Sequence, residues 1–287
     1  MKAFYKLLSN LESSPYVVTV CDWFRKNALR NKELGITPAN SADLERFRMS
    51  LEDWRGRCEL EKALQRGTIR LAYPSELFPS LHEICVPVGA IHQESGHLNH
   101  TDMVYVCAIA KALNARRIFE IGTYRGQTTC ALAQVCPEAE VFTLNLPPEA
   151  DPRYAPFLGW YIRKSPFRDR IHQLFSNSFS FDTTPYRKSM DLVFIDGDHS
   201  YDAVKNDTQK ALELLRPGGI LLWHDFAGKC PGVVRWVEEF SQEHPLFCLR
   251  KTCLAVWMDG VDARRAELSP MDPSLEEKEF STGVKIR

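Results

Sequence analysis

Several short stretches of this 287-residue chain carry side chains that could do chemistry together. EIGTYRGQTT offers Glu120, Gly122, Thr123, Tyr124, Gly126 and Thr128. FIDGDHS offers Asp196 and His199. LLWHDF offers His224 and Asp225. TLNLP and SNS add Asn145, Asn177 and Ser178. Gly122 and Gly126 permit a tight turn and a close approach of backbone to a ligand. A helix start just beyond them supplies free N–H groups, and Thr128 and Thr129 add hydroxyls, which suits a carboxylate or a phosphate. Glu120 is expected to point toward the same crevice. Asp196 and Asp225 should end neighbouring strands, where two carboxylates repel unless a cation lies between them. Hard oxygen ligands favour Mg²⁺, which would also lower the pKa of a bound hydroxyl. His199 has the intrinsic pKa of a general base near neutrality. Plainer roles compete. Asp196 and His199 could cap the following helix. His224 could be a third metal ligand, a partner of Asp225, or a core histidine.

These residues need a scaffold, and the surrounding pattern supplies one. From about residue 100 to 260, short β-branched runs alternate with helical stretches. RRIFEIG, EVFTLNL, IHQLFSN, MDLVFIDG and GGILLWHDF read as strands. GQTTCALAQVC, YDAVKNDTQKALELL and PGVVRWVEEFSQEH read as helices, the last opened by Pro231. Continuous apolar strands alternating with helices indicate a parallel sheet covered on both faces. LFCLRKT and CLAVWMD follow almost without a gap and should pair as an antiparallel hairpin. Open sheets of this kind bind ligands at the carboxyl ends of their strands, where the residues named above are expected. The spacing differs from the dinucleotide fingerprint G-x-G-x-x-G, because Tyr124 occupies the place of its second glycine. A ligand with an amino-acid end is favoured over a nicotinamide cofactor.

Composition narrows the class. The formal net charge is -1, from 36 basic and 37 acidic residues, which disfavours a nucleic-acid partner. Nine cysteines, none in a C-x-x-C pair, sit mostly in apolar runs and read as free thiols of a reducing cytosol. No run approaches the ~18 apolar residues of a membrane span, and no signal peptide is apparent. A cytoplasmic protein without membrane contact is expected.

EIGTYRGQTT, FIDGDHSYDAVKNDT and LLRPGGILLWHDF together resemble the class I S-adenosylmethionine-dependent methyltransferases. The nearest branch includes macrolide-sugar O-methyltransferases and cephalosporin-hydroxylase-like proteins, with catechol O-methyltransferase more distant. The resemblance spans roughly the C-terminal half. It implies S-adenosylmethionine as cofactor, held by Glu120, Gly122, Thr123, Tyr124, Gly126 and Thr128, with Asn145, Asn177, Ser178 and Asp196 along the rest of the site. Thr128 matches the hydroxyl that holds the methionyl carboxylate. Asp196 and Asp225 match the acidic positions that hold a divalent cation, with His224 as a candidate third ligand. His199 matches the base that takes the acceptor's proton. Since the sulfonium is already a good leaving group, the enzyme would mainly hold oxygen, methyl carbon and sulfur in line.

The chain departs from the family pattern at two strand ends. Asn145 stands where an acidic residue usually accepts the ribose hydroxyls, and the loss of a charge-assisted bond is worth about a kcal/mol or two. Asn177 replaces an acid that often lies near the adenine. Both predict weakened cofactor binding.

The expected architecture is therefore α/β: a doubly wound, seven-stranded, mostly parallel sheet with a C-terminal antiparallel hairpin. Residues 1–95 are expected to form a helical extension for packing, dimerisation or a lid. Leu44, Phe47, Leu51 and Trp54 mark an apolar stripe there. Residues 96–260 would bind the cofactor, and 261–287 would be a polar tail. The expected activity is O-methylation of a small-molecule hydroxyl, on a sugar or secondary metabolite, by a homo-oligomer. The competing reading is a catalytically silent binding protein on the same fold.

Overall fold

The computed structural model describes residues 61–87, 98 and 100–269. The stripe from Leu44 to Trp54, most of the loop His92–Asp102 and the tail beyond 269 fall outside these residues. The described chain builds one eight-stranded sheet. Its strands are β1 (Ile69–Ala72), β2 (Arg117–Ile121), β3 (Glu140–Asn145), β4 (Ile171–Phe175), β5 (Met190–Ile195), β6 (Leu215–Trp223), β7 (Leu246–Leu249) and β8 (Ala255–Met258). The helices are α1 (Pro74–Leu77), α2 (His100–Ala112), α3 (Gln127–Val135), α4 (Trp160–Lys164), α5 (Tyr201–Leu214) and α6 (Pro231–Ser241).

The strand order is β1-β7-β8-β6-β5-β2-β3-β4. The seven strands expected from sequence are present, and β8 runs antiparallel to both β7 and β6. An eighth strand was not anticipated: Ile69–Ala72 pairs in parallel with β7 and caps that edge. Its four residues IRLA are too short a run to announce a strand against a charged, helix-prone background.

Strand pairing sets two packed faces through its period of two. Phe119 and Ile121 of β2 face a core shared with Phe142, Leu144, Val193, Leu221, Trp223 and the apolar sides of α5 and α6. Ile118 of β2 faces the opposite core with Val141, Leu192, Phe194 and residues of α2 and α3. Each face is closed by helices, so the central strands are apolar throughout. Trp223 is wholly buried, and its indole donates to Thr208 Oγ1 at 2.9 Å, as Trp236 does at 2.8 Å. One α5 hydroxyl thus ties together a strand and a neighbouring helix. The described cysteines are free, and Cys107, Cys136, Cys230 and Cys248 are buried. Among the described residues no helix is long and apolar enough to cross a membrane.

Strand β2 lies between β3 and β5, and the chain leaves it in opposite directions across the sheet. That reversal opens a crevice beyond the carboxyl ends of β2 and β5. All of the chemistry-bearing loops meet there.

Candidate active site

A cavity of about 1190 Å³ occupies this crevice. One wall is the loop 121–128, and the other is formed by 196–200 with His224, Asp225 and Lys229. Asn145, Leu146, Ser176–Phe179 and Tyr154 close the side nearest β3 and β4.

The loop after β2 is shaped by its glycines. Gly122 has φ 112°, and a Cβ there would overlap the Asp196 carbonyl. Its N–H donates to Leu144 O at 2.9 Å. Asp196 N–H donates to Ile121 O at 2.8 Å, so the ends of β2 and β5 are laced together. Gly126 takes φ 80° as the residue before α3, and a Cβ on it would run into the Ile162 side chain. Tyr124 is also left-handed, at φ 43°. Its N–H donates to Asn145 Oδ1 at 3.2 Å, while Asn145 Nδ2 donates to Leu146 O. Asn145 therefore stands on the cavity wall and braces the loop at the same time. Thr128, in the first turn of α3, is buried and lines the cavity. Thr123 is buried beside Thr143, with the hydroxyls 2.7 Å apart, and also lines the cavity.

Glu120 is placed differently from the sequence expectation. It shares the parity of Ile118, so it points beneath α3 rather than into the crevice. Its carboxylate is buried and accepts hydrogen bonds from Thr129 Oγ1 and, at 2.6 Å, from Thr143 Oγ1. Burial pushes its pKa up to about 7, although both hydroxyls oppose the rise. Asn177 is exposed, and its Oδ1 accepts from Phe179 N–H at 3.0 Å in a local turn. Ser178 Oγ accepts from Asn206 Nδ2 at 3.2 Å.

The opposite wall is a charged cluster. Strand β6 ends at Trp223, so His224 and Asp225 stand just past it, beside the end of β5. Asp225 adopts φ 54°, a region that Asp tolerates better than most residues. His224 Nδ1 lies 2.9 Å from Asp196 Oδ1 and 3.4 Å from Asp225 Oδ2. His199 Nε2 lies 3.0 Å from Asp225 Oδ2, and Lys229 Nζ lies 2.8 Å from Asp225 Oδ1. Burial opposes charge on His224, but hydrogen bonds to Asp102, Asp196 and Asp225 outweigh it and push its pKa up to about 12. Burial likewise opposes the Asp225 carboxylate, yet the two imidazoles and the Lys229 ammonium hold it far below the usual range. The bond to Asp225, helped by Cys230, raises His199 to about 10.

The convergence of Asp196, His199, His224 and Asp225 on one cleft is as the sequence implied. Around these carboxylates the chain itself places His199, His224 and Lys229. Ligand atoms of Asp196, His224 and Asp225 lie within 4.8 Å of one another. A divalent ion would take the Asp196 and Asp225 oxygens, and His224 Nδ1 only once that nitrogen has lost its proton and its bond to Asp196.

Sequence reasoning missed three contributors. Asp102 is fully buried and meets His224 Nε2 at 3.1 Å. Asp207, also buried, lines the cavity, and burial raises its pKa against the Ser178 and Asn206 bonds. Lys229 reaches in from the rim. Two of these had a legible signal. Asp207 falls between Val204 and Ala211 on the apolar stripe of α5, and Asp102 lies four residues before Val106 on the buried side of α2. A carboxylate on an apolar stripe needs a partner.

The comparisons with known proteins agree with this geometry. Residues 119–226 match the family model described as a methyltransferase domain. Catechol O-methyltransferase of Mycobacterium tuberculosis is 30% identical over 119 residues, covering 41% of this chain and 51% of that protein. Catechol O-methyltransferase B of Danio rerio is 32% identical over 140 residues, covering 46% and 49%. The chain thus spans about half the length of the curated relatives it matches. The solved O-methyltransferase TomG from Streptomyces achromogenes, in complex with SAM, overlays with a TM-score of 0.47 at 16% identity. That overlay covers 66% of this chain and 97% of TomG, and it is too loose to assign a role to any residue. With its glycine-turned loop after β2 and its acid–imidazole strand ends, the stretch 119–226 is thus similar to the methyltransferase domains that this family model describes.

Proposed function

We propose that this chain transfers the methyl group of S-adenosylmethionine to a hydroxyl oxygen of a small molecule. One observation carries the reading: a single cavity has the loop 121–128 on one wall and Asp196, His199, His224 and Asp225 on the other. The N-terminus of α3 and the Thr128 hydroxyl suit the methionyl carboxylate. Asn145 would meet the ribose, and Leu146 with Asn177–Phe179 the adenine side. The methyl group would then face the charged wall.

The chemistry needs little beyond alignment. The acceptor oxygen bonds to the methyl carbon as the carbon–sulfur bond breaks, and the hydroxyl proton leaves to a base. His199 is the base best placed, half exposed at the cavity wall. Its pairing with Asp225 keeps the ring protonated, so it accepts a proton only when the Asp225 charge is engaged elsewhere. A divalent cation between Asp196, His224 and Asp225 would lower the pKa of a bound hydroxyl. The two carboxylates suit Mg²⁺ for that place, and His224 would join them only after losing its Nδ1 proton.

Because the curated relatives are named catechol O-methyltransferases, catechols are the first acceptors to test, followed by sugar hydroxyls. The test is a thermal-shift series with S-adenosylmethionine, S-adenosylhomocysteine and NAD, and then mass spectrometry of acceptor mixtures. Ligand at 100 times its Kd should stabilise the fold by about 2.7 kcal/mol. Stabilisation by the sulfonium donor together with a mass gain of one methyl group is expected. No stabilisation by that donor would overturn the proposal.

A further inference from the structure

His224 is held from two sides. Its Nδ1 faces the cavity carboxylates, 2.9 Å from Asp196 Oδ1. Its Nε2 faces away from them, 3.1 Å from Asp102 Oδ2. Asp102 lies in the first turn of α2, outside the matched methyltransferase stretch, and is wholly buried. The same carboxylate accepts the Cys253 N–H, at 3.2 Å to Oδ1 and 3.3 Å to Oδ2. One side chain therefore joins α2, the end of β6 and the β7–β8 turn.

An imidazole with nothing on its far nitrogen can swing about its Cβ–Cγ bond. A buried carboxylate on Nε2 fixes the ring plane. With Nε2 anchored, Nδ1 is delivered to the edge between Asp196 and Asp225. We propose that Asp102 is a positioning residue: it locks the His224 ring so that Nδ1 serves the wall on which the methyl acceptor lies. The locking is a property of the protein alone. Its effect on methyl transfer rests on the function proposed above.

A plain structural role would make Asp102 an anchor for the β7–β8 turn, with no bearing on the ring. Asp102→Asn keeps both contacts, because one oxygen at the Oδ2 position can accept the His224 Nε2–H and the Cys253 N–H together. Asp102→Ala removes them. The readout is the His224 ring in crystal structures of the full chain without acceptor. It should hold a single orientation in the unsubstituted protein and in Asp102→Asn, and leave that orientation in Asp102→Ala. With a working acceptor, kcat should fall about 10- to 100-fold in Asp102→Ala while the S-adenosylmethionine Kd stays unchanged, and Asp102→Asn should recover most of the loss. A His224 ring unmoved in Asp102→Ala would overturn the proposal. If that variant fails to fold, the unsubstituted protein still decides, because a ring found in more than one orientation is incompatible with the lock. These structures stand even if no acceptor is ever found, so failure of the lock and failure of the methyl-transfer reading are distinguishable.

Discussion

His199 Nε2 lies 3.0 Å from Asp225 Oδ2, and this pair joins the loop after β5 to the loop after β6. The first strand end supplies the candidate base and the second supplies the charge that controls it. Asp225 can play this part because its left-handed backbone turns the carboxylate back toward the cavity, where His199, His224 and Lys229 surround it.

Removing that charge should release His199. Asp225→Asn preserves the backbone, since Asn tolerates the left-handed region as well as Asp does. The His199 pKa is expected to fall from about 10 toward its ordinary value of 6.5. Methyl transfer should drop by about 100-fold or more even though the base is freed, because the proposed cation set of Asp196, His224 and Asp225 loses a carboxylate. Histidine ring titration by NMR and acceptor turnover measure the two effects. A His199 titration that does not move would show that Asp225 does not hold its proton.

Asn145 gives a gain-of-affinity prediction. Its Oδ1 already accepts the Tyr124 N–H, so Asn145→Asp keeps that brace. The new carboxylate adds a charge-assisted acceptor for a ribose diol. S-adenosylmethionine should bind about tenfold tighter, matching about 1.4 kcal/mol. Isothermal calorimetry on both proteins decides it. Unchanged affinity would mean that residue 145 does not touch the ribose.

Glu120 predicts a pH dependence of stability. Burial raises its pKa from 4.5 to about 7 in the folded chain. Between those values the unfolded chain releases a proton that the folded chain keeps. Stability from this group is therefore full below pH 4.5 and is lost as pH rises to about 7, by up to about 1.4 kcal/mol per pH unit. Glu120→Gln should flatten the slope over that window, since Gln can still accept from Thr129 and Thr143. Urea midpoints at four pH values test it, and equal slopes in the two proteins would contradict it.

Much of the fold could be read from one-dimensional pattern. Apolar strands alternating with helical stretches gave the parallel sheet, and the LFCLRKT–CLAVWMD spacing gave the hairpin. These signals are local: strand and helix periods lie within a few residues of one another. The glycine loop and the acid–imidazole strand ends were legible for the same reason, because strand-end loops in such sheets share one crevice.

Other features were decided only by tertiary structure. Glu120 sits two residues before Gly122, yet strand parity turns it under α3, and parity has meaning only once the two faces are assigned. Asp102 is 122 residues from His224, and no spacing rule links them; their contact exists because α2 packs beside the end of β6. Of the cations around Asp225, His224 and Lys229 are its chain neighbours, but His199 comes from the loop after β5, so the charge balance could not be completed along the chain. Sequence named the reacting groups through local chemistry. Long-range packing set which nitrogen, which carboxylate and which proton each of them holds.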